Sequence, residues 1–186
     1  MDITETNLKG LFVILPRVLE DTRGFFVELY RDDAFRKIGI PSAFVQENQS
    51  HSKKNVLRGL HFQWDPPLGK LIRVVAGRVF MVAVDIRKRS PTLGRWFGEE
   101  FRAEEHRELY ASPGFAAGFC TLSESADVEY HYTALYNPKG ESNIVWNDPT
   151  LGIQWPIADP ILSPRDAEAQ TFDAWLQRPE SAFFTV

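Results

Sequence analysis

The stretch Val-Phe-Met-Val-Ala-Val-Asp-Ile, residues 79–86, decides the fold class of this chain. It follows Gly77 and precedes the turn signal Lys88-Arg89-Ser90-Pro91. The side chains at odd positions and those at even positions are both almost entirely apolar. A strand with one face in water alternates apolar and polar residues, so this stretch predicts a strand that is buried on both faces.

Similar short apolar runs recur on both sides of this stretch, and each lies next to a turn signal. Their lengths and their Val, Ile, Phe, Tyr and Trp content are typical of strands. They cover residues 11–15, 25–30, 71–76, 96–101 and 128–136. Many short strands joined by turns favour a mostly β sandwich or jelly roll.

In the rest of the chain, the sequence predicts only short helices. Short helices are expected at Asp32–Lys37 and at Asp166–Gln177, the second within about 164–178. The chain is expected to form one domain over residues 1–186, since its length suits a single core. The polar, strand-like N-terminal segment is able to pair with another subunit.

Composition narrows the class of protein. The net charge of -4 argues against a nucleic-acid coat, so any bound phosphate must be held by local Arg and Lys. Cys120 is the only cysteine, which excludes an internal disulfide and favours a reducing cytoplasm. The first ten residues lack an apolar signal core, and no apolar run is long enough to span a membrane.

The segment Val-Leu-Arg-Gly-Leu-His-Phe-Gln, residues 56–63, carries the chemistry. Arg58, His61 and Gln63 alternate with apolar residues well enough to predict a strand with one polar face, and Lys70 follows shortly after. Imidazole is the side chain best suited to moving protons near neutral pH. Two cations beside it indicate that the group being deprotonated is anionic or becomes anionic.

Two other interpretations of His61 have to be weighed. A lone histidine in an apolar strand is more often a core residue, but Arg58 and Lys70 are hard to bury without an anionic partner, which favours a functional site. A metal site needs several converging N and O ligands. The chain has no His-x-His pair, and Lys70 would repel a cation, so no metal is expected.

Three tyrosines and one aspartate remain ambiguous on the residues alone. Tyr130, Tyr132 and Tyr136 have even spacing, which predicts one strand face. They form either an aromatic stripe or a proton donor beside a stacking platform. Asp166 follows Ser163 and suits the first turn of a capped helix, yet a histidine base also needs such a carboxylate.

Seven stretches of the chain together match one known family. They are residues 21–26, 44–48, 58–63, 84–87, 113–116, 136–138 and 146–149. From about residue 8 to about residue 175, the chain resembles the dTDP-4-dehydrorhamnose 3,5-epimerase family. The resemblance implies a cupin-type jelly roll (double-stranded β-helix) with a few short helices. It also implies a homodimer that works without metal, acts on a dTDP-linked 4-keto-6-deoxy sugar and serves rhamnose biosynthesis. Such an epimerisation oxidises nothing, so no cofactor is expected.

The resemblance also assigns roles to individual residues. It implies that His61 is the base, Asp166 its partner, Tyr130 the acid and Lys70 the group that stabilises the enolate. The residues that it implies for binding the nucleotide sugar are Arg23, Phe26, Glu28, Gln46, Asn48, Arg58, Tyr136 and Arg165.

One position departs from the family pattern. The family usually has a histidine where this chain has Ala117, within the segment Pro113–Phe119. The expected His61–Asp166 pair is untouched, so proton abstraction is still expected. The alternatives that stay open are inversion of carbon 3 alone, a related nucleotide sugar, a non-catalytic nucleotide-sugar binding module, and a metal-dependent cupin.

Overall fold

The computed structural model describes residues 1–40 and 43–184 of the chain. Strands dominate, and the helices are short. The strands are β1 (Asp2–Glu5), β2 (Leu11–Leu15), β3 (Val18–Asp21), β4 (Gly24–Val27), β5 (Gln46–Lys53), β6 (Leu57–Gln63), β7 (Lys70–Ala76), β8 (Arg78–Asp85), β9 (Trp96–Arg102), β10 (Glu108–Ala111), β11 (Phe115–Thr121), β12 (Ser125–Tyr132) and β13 (Glu141–Asn143). The α-helices are α1 (Asp32–Lys37), α2 (Pro164–Ala167) and α3 (Phe172–Gln177).

Two antiparallel sheets form the body of the protein. One has six strands in the order β1-β2-β10-β7-β12-β5, and the other has five in the order β13-β6-β11-β8-β9. From β5 to β8 and again from β9 to β13, successive strands fall in opposite sheets, as in a jelly roll. Strands β3 and β4 form a separate hairpin.

The central core fills the space between the two sheets. From the six-stranded sheet it takes Ile72, Val74 and Val128, and from the five-stranded sheet Val79 and Met81. The side chains of β8 at the alternate positions, such as Val82 and Val84, belong to a second core on the other face of their sheet. The predicted strand with two buried faces is therefore confirmed.

Outer layers cover part of each sheet. Helix α1 packs Phe35 against the six-stranded sheet. The C-terminal segment packs Phe172 and Trp175 against the five-stranded sheet, and Trp175 is fully buried. Truncating such a buried aromatic typically costs about 3–5 kcal/mol, so this packing is what holds the C-terminal segment in place.

Two predicted strands and one predicted helix differ from the structure by more than one residue at an end. The strand expected over residues 128–136 begins earlier, at Ser125, and ends at Tyr132, and the chain bends after Tyr132. The expectation that Tyr136 shares a strand face with the other two tyrosines is therefore wrong. The strand expected over 25–30 is β4, which ends at Val27.

The expected C-terminal helix at Asp166–Gln177 is divided between α2 and α3. Between them, the carbonyl of Gln170 accepts a bond from the amide of Val145, and this pairing holds the chain extended. Ser163 caps α2 and Thr171 caps α3, so each helix has its own start signal.

Two further findings concern the pairing of the N-terminal strand and the length of the helices relative to a membrane. The N-terminal segment β1 pairs with β2 of its own chain. No helix in the residues that the structure describes is both long and apolar enough to cross a membrane.

Candidate active site

A break in the β6–β11 ladder brings the polar residues of β6 to one side. Arg58 and His61 are three positions apart, so a regular strand would place them on opposite faces. The register shifts between Ala117, which pairs with His61, and Phe119, which pairs with Arg58. Such a bulge re-aims side chains, and both residues line the same cavity.

Glycine is required at this break. Gly59 has a φ of +138°, and a Cβ there would lie 2.6 Å from the Cα of Gly118. The backbones of β6 and β11 approach this closely because both facing residues, Gly59 and Gly118, lack a side chain.

The cavity lies between the two sheets and has a volume of about 250 Å³. It has an apolar part and a polar part. The apolar part is lined by Leu68, Ile72, Met81, Ala117 and Phe119. The polar part is lined by Ser50, Arg58, His61, Gln63, Lys70, Tyr130, Tyr132, Tyr136, Glu141 and Arg165.

His61 and Asp166 form a close pair. The Nε2 atom of His61 lies 2.6 Å from Oδ1 of Asp166, although the two residues are 105 positions apart. A carboxylate accepts a hydrogen bond, so Nε2 carries the hydrogen and the lone pair is on Nδ1. Nδ1 is therefore the nitrogen of His61 that is able to take a proton.

Two further donors hold the carboxylate of Asp166, which is only 3% exposed. Ser163 Oγ donates to Oδ2 at 3.0 Å, and Asn143 Nδ2 donates to Oδ1 at 3.2 Å. Burial raises the pKa of Asp166, but the hydrogen bonds from His61, Ser163 and Asn143 outweigh it and the pKa is lowered overall. Asp166 is thus an anion held in one orientation.

Lys70 brings a positive charge to the same wall. Its Nζ donates to the carbonyl oxygen of His61 at 2.9 Å. Burial lowers the pKa of Lys70 to about 8, while Glu141 raises it and Arg165 lowers it further. The ammonium group is charged at neutral pH and ready to stabilise a developing oxyanion.

Tyr130 faces His61 from the other sheet. Tyr130 lies on β12 of the six-stranded sheet, whereas His61 lies on β6 of the five-stranded sheet. The Tyr130 hydroxyl is 2.9 Å from Ser50 Oγ. Burial raises the pKa of Tyr130 above its ordinary value. A ligand in the cavity therefore has a base on one side and a protonated phenol on the other.

Glu141 connects two other residues at the mouth of the cavity by hydrogen bonds. Its Oε1 accepts hydrogen bonds from Arg165 Nη1 at 2.6 Å and from the Tyr136 hydroxyl. Sequence reasoning missed Glu141, Asn143 and Ser50. The unbroken polar run of β5 was a usable signal for Ser50, but β13 is too short for a pattern.

Gln46 and Asn48 lie on β5 beside the mouth. Gln46 Nε2 donates to Asn48 Oδ1 at 3.1 Å, and Gln46 Oε1 accepts from the backbone amide of Tyr136 at 2.8 Å. The predicted residues Gln46, Asn48 and Tyr136 are thus brought together, even though Tyr136 is not on the predicted strand.

Five predicted binding residues do not line this cavity in their own chain: Gln46 and Asn48 lie beside its mouth, and the other three lie away from it. Arg23 and Phe26 lie on the β3–β4 hairpin, and Glu28 follows it. The side chain of Arg23 is 87% exposed and pairs with Asp21, and Phe26 is 68% exposed. The hairpin is an arm on which the side chains of Arg23 and Phe26 are exposed, while the ring of Phe25 contacts His106.

Potential metal ligands gather elsewhere. Within residues 1–40 and 43–184, one group of three, Glu47, Glu129 and His131, lies within 4.8 Å. Glu129 is already paired with Arg73, which opposes cation binding. None of these residues lines the cavity around His61.

The chain is similar to known proteins along nearly its whole length. A sequence profile of dTDP-4-dehydrorhamnose 3,5-epimerase matches residues 5–174. The dTDP-4-dehydrorhamnose 3,5-epimerase of Salmonella typhimurium is 48% identical over 176 residues, covering 93% of this chain and 96% of the relative. That of Neisseria gonorrhoeae is 47% identical over 183 residues, 98% of this chain, and the chain spans 55% of that relative.

A solved structure is similarly close. The dTDP-6-deoxy-D-glucose-3,5-epimerase of Legionella pneumophila, in complex with dTDP-4-keto-L-rhamnose, superposes with a TM-score of 0.91. The sequences are 43% identical, and the match covers 97% of this chain and 96% of the other. These comparisons confirm the predicted resemblance and the predicted mostly β fold class.

Proposed function

Because the chain belongs to the dTDP-4-dehydrorhamnose 3,5-epimerase family, it is an isomerase-class enzyme, and we propose that its reaction takes place in the cavity around His61. The substrate is dTDP-4-dehydro-6-deoxyglucose, and inversion of carbons 3 and 5 gives dTDP-4-dehydrorhamnose. The observation that carries this proposal is the His61–Asp166 pair with Tyr130 facing it from the opposite sheet.

Proton removal is assigned to His61. The ketone at carbon 4 acidifies the hydrogens on carbons 3 and 5, and Nδ1 of His61 takes one of them. Asp166 stabilises the imidazolium that forms. The negative charge moves to the ketone oxygen, where the ammonium of Lys70 stabilises it by roughly 3–4 kcal/mol, as is typical of one well-placed donor.

Proton return is assigned to Tyr130. Its hydroxyl protonates the enolate carbon from the opposite face, and this inverts the centre. General acids and bases of this kind each contribute on the order of a hundred- to ten-thousand-fold. The same pair acts first on one carbon and then on the other.

Binding of the nucleotide is assigned to the mouth of the cavity. Arg58 and Arg165 line the cavity and are suited to the diphosphate, since a guanidinium pairs bidentately with phosphate oxygens. Tyr136 lies at the mouth beside Gln46, and stacking on the thymine ring is assigned to it.

The proposal includes a homodimer. The arm that carries Arg23 and Phe26 lies outside its own cavity, and apolar residues on it, such as Leu19, are exposed. Docking the arm at the mouth of a partner's cavity would bury these residues and supply the binding groups that the monomer lacks.

A mixing experiment tests the arm. A His61→Asn chain and an Arg23→Ala chain, each weakly active alone, are unfolded together and refolded. In a mixed dimer whose arms act on the partner, one site has an intact histidine and an intact arm. We expect activity to recover toward a quarter of wild type. No recovery would mean that each arm serves its own chain.

The lone thiol also bears on location. Cys120 is buried and unpaired. A cytoplasmic setting, where thiols stay reduced, is part of the proposal.

The reaction is tested by offering dTDP-4-dehydro-6-deoxyglucose in deuterium oxide and following the sugar by NMR. We expect deuterium at carbons 3 and 5 and inversion of both. Exchange at carbon 3 alone would favour the single-centre alternative that Ala117 leaves open. Binding without exchange would identify a binding module, and loss of activity on treatment with a chelator would identify a metal enzyme.

A further inference from the structure

After each inversion, the reactive side chains on the two walls of the cavity are not in the protonation states that the next inversion needs. His61 holds an extra proton, and Tyr130 has lost one. Since two centres are inverted, Tyr130 must regain a proton before the second step. Resting on the proposed function, we propose that Ser50 is the relay that reprotonates Tyr130 between the two inversions.

The hydroxyl of Ser50 contacts that of Tyr130 directly. Ser50 Oγ lies 2.9 Å from the Tyr130 hydroxyl oxygen. On the β5–β12 ladder Ser50 pairs with Val128, and Tyr130 pairs with Asn48. Ser50 and Tyr130 are therefore diagonal neighbours on one face of the sheet, and both line the cavity.

On its other sides, the ring of Tyr130 packs against other side chains. Its ring packs beside Phe119 and Tyr132, with centroids 6.5 and 6.4 Å away, and against the central core. Ser50, by contrast, lies on β5 at the edge of the six-stranded sheet. Through Ser50, a proton from solvent can reach Tyr130 from this edge.

The inward face of β5 forms a polar row from the mouth to Tyr130. Gln46, Asn48 and Ser50 occupy alternate positions and are half-buried, whereas the residues between them are exposed. Gln46 and Asn48 are hydrogen-bonded to each other beside the mouth. This row can hold water on the way to Ser50.

Arg58 is placed to stabilise the intermediate state. Its charge lowers the pKa of Tyr130, although burial dominates and raises the pKa overall. Its Nε atom donates to Ser52 Oγ at 2.9 Å, which fixes the guanidinium next to the polar row. A tyrosinate therefore has a cation nearby until it is reprotonated.

The proton transfers balance. The Tyr130 O–H bond breaks as the new C–H bond forms from the enolate electron pair. Ser50 then gives its hydroxyl proton to the tyrosinate oxygen and takes a proton from a water molecule in the row. His61 releases its extra proton to solvent, so hydroxide and proton recombine and no other reactant is needed.

A single-turnover experiment with enzyme in excess distinguishes proton relay through Ser50 from mere positioning of Tyr130 by Ser50. In Ser50→Ala, the first inversion uses a tyrosine that is already protonated and should proceed within about threefold of the wild-type rate. The second should slow by about tenfold or more, since general acids contribute at least that much. A sugar inverted at one carbon should therefore accumulate transiently, and NMR of quenched samples measures it.

Two further variants complete the design. Ser50→Thr keeps a hydroxyl and should restore the second step to within about threefold of wild type. Ser125→Ala removes a serine of β12 that does not line the cavity and should leave both steps unchanged. Thermal unfolding of each variant checks that the fold is intact.

The outcomes are distinct. Equal slowing of both inversions in Ser50→Ala, or an unchanged second step, would overturn the relay. Failure of Ser50→Thr to restore the second step would do the same. If instead the wild-type enzyme inverts one centre or none, the proposed function fails, and the result does not depend on Ser50.

Discussion

The two walls of the cavity differ in how firmly each holds its reactive group. On the five-stranded sheet, Asp166 accepts bonds from His61, Asn143 and Ser163, and the C-terminal segment packs behind them. On the six-stranded sheet, Tyr130 is bonded to Ser50 of an edge strand. Under the proposed roles, the carboxylate partner of the base accepts three side-chain hydrogen bonds, whereas the hydroxyl of the acid is bonded to Ser50.

This difference has a mechanistic meaning. In the proposed mechanism, abstraction needs one nitrogen of His61 in one orientation. Return of the proton decides the stereochemical result and requires a group that can be reloaded from solvent. Substitutions in the wall that carries His61 should therefore abolish proton abstraction. Substitutions in the wall that carries Tyr130 should instead change the stereochemical outcome.

The largest effect is expected for His61→Asn. Asparagine cannot act as a base, so both deuterium exchange and product formation should fall by about a hundred- to ten-thousand-fold. NMR in deuterium oxide measures both. His51→Asn, which alters an exposed histidine that pairs with Asp127 outside the cavity, should behave as wild type. Exchange at the wild-type rate in His61→Asn would remove His61 as the base.

A smaller and selective effect is expected for Tyr130→Phe. Exchange should stay within about tenfold of wild type because His61 is intact, while inversion should fall by about a hundredfold because the acid is lost. The ratio of the two rates is the measurement. Tyr110→Phe, on β10 of the same sheet, is the matched control. Unchanged product formation in Tyr130→Phe would exclude Tyr130 as the acid.

A change of about tenfold is expected for Asn143→Ala. It removes one of the donors to the buried Asp166 carboxylate, and a hydrogen bond to a charged group contributes about 1.5–3 kcal/mol. We expect kcat to fall while KM changes little, since Asn143 does not line the cavity. Asn147→Ala, in the exposed loop that follows, is the control. A normal kcat would show that Asn143 does not position Asp166.

The smallest effect is a shift in pH dependence. In the proposed mechanism Lys70 acts as the ammonium, which is present below its pKa of about 8 and lost as pH rises through that value, so kcat/KM should decline above about pH 8. Glu141 raises this pKa, so Glu141→Gln should move the decline to lower pH. Glu124→Gln at the surface should not. A flat profile to about pH 9.5 would contradict the role of Lys70.

Local patterns predicted most elements of the fold. The expected strand at Leu11–Leu15 and the expected helix at Asp32–Lys37 have the bounds that were predicted, and β8 is buried on both faces. These elements depend on alternation and turn signals, which are visible within about ten residues. The resemblance then supplied the family and its jelly roll.

Contacts between distant segments could not be predicted in this way. The bulge that places Arg58 beside His61 depends on glycines in two different strands. The choice of Nδ1 over Nε2 depends on where α2 lies, and Glu141 belongs to a strand of three residues. Tyr136 reached the cavity by a turn rather than by the predicted strand.

The position of Asp166 has one more consequence. It belongs to the C-terminal segment that is held on the five-stranded sheet by Phe172 and Trp175, not to the sheets themselves. Partial detachment of the C-terminal segment would separate Asp166 from His61 while leaving the two sheets intact. Under mild denaturant, catalytic turnover should therefore disappear before the far-ultraviolet signal of the strands, so that activity reports on docking of the C-terminal segment.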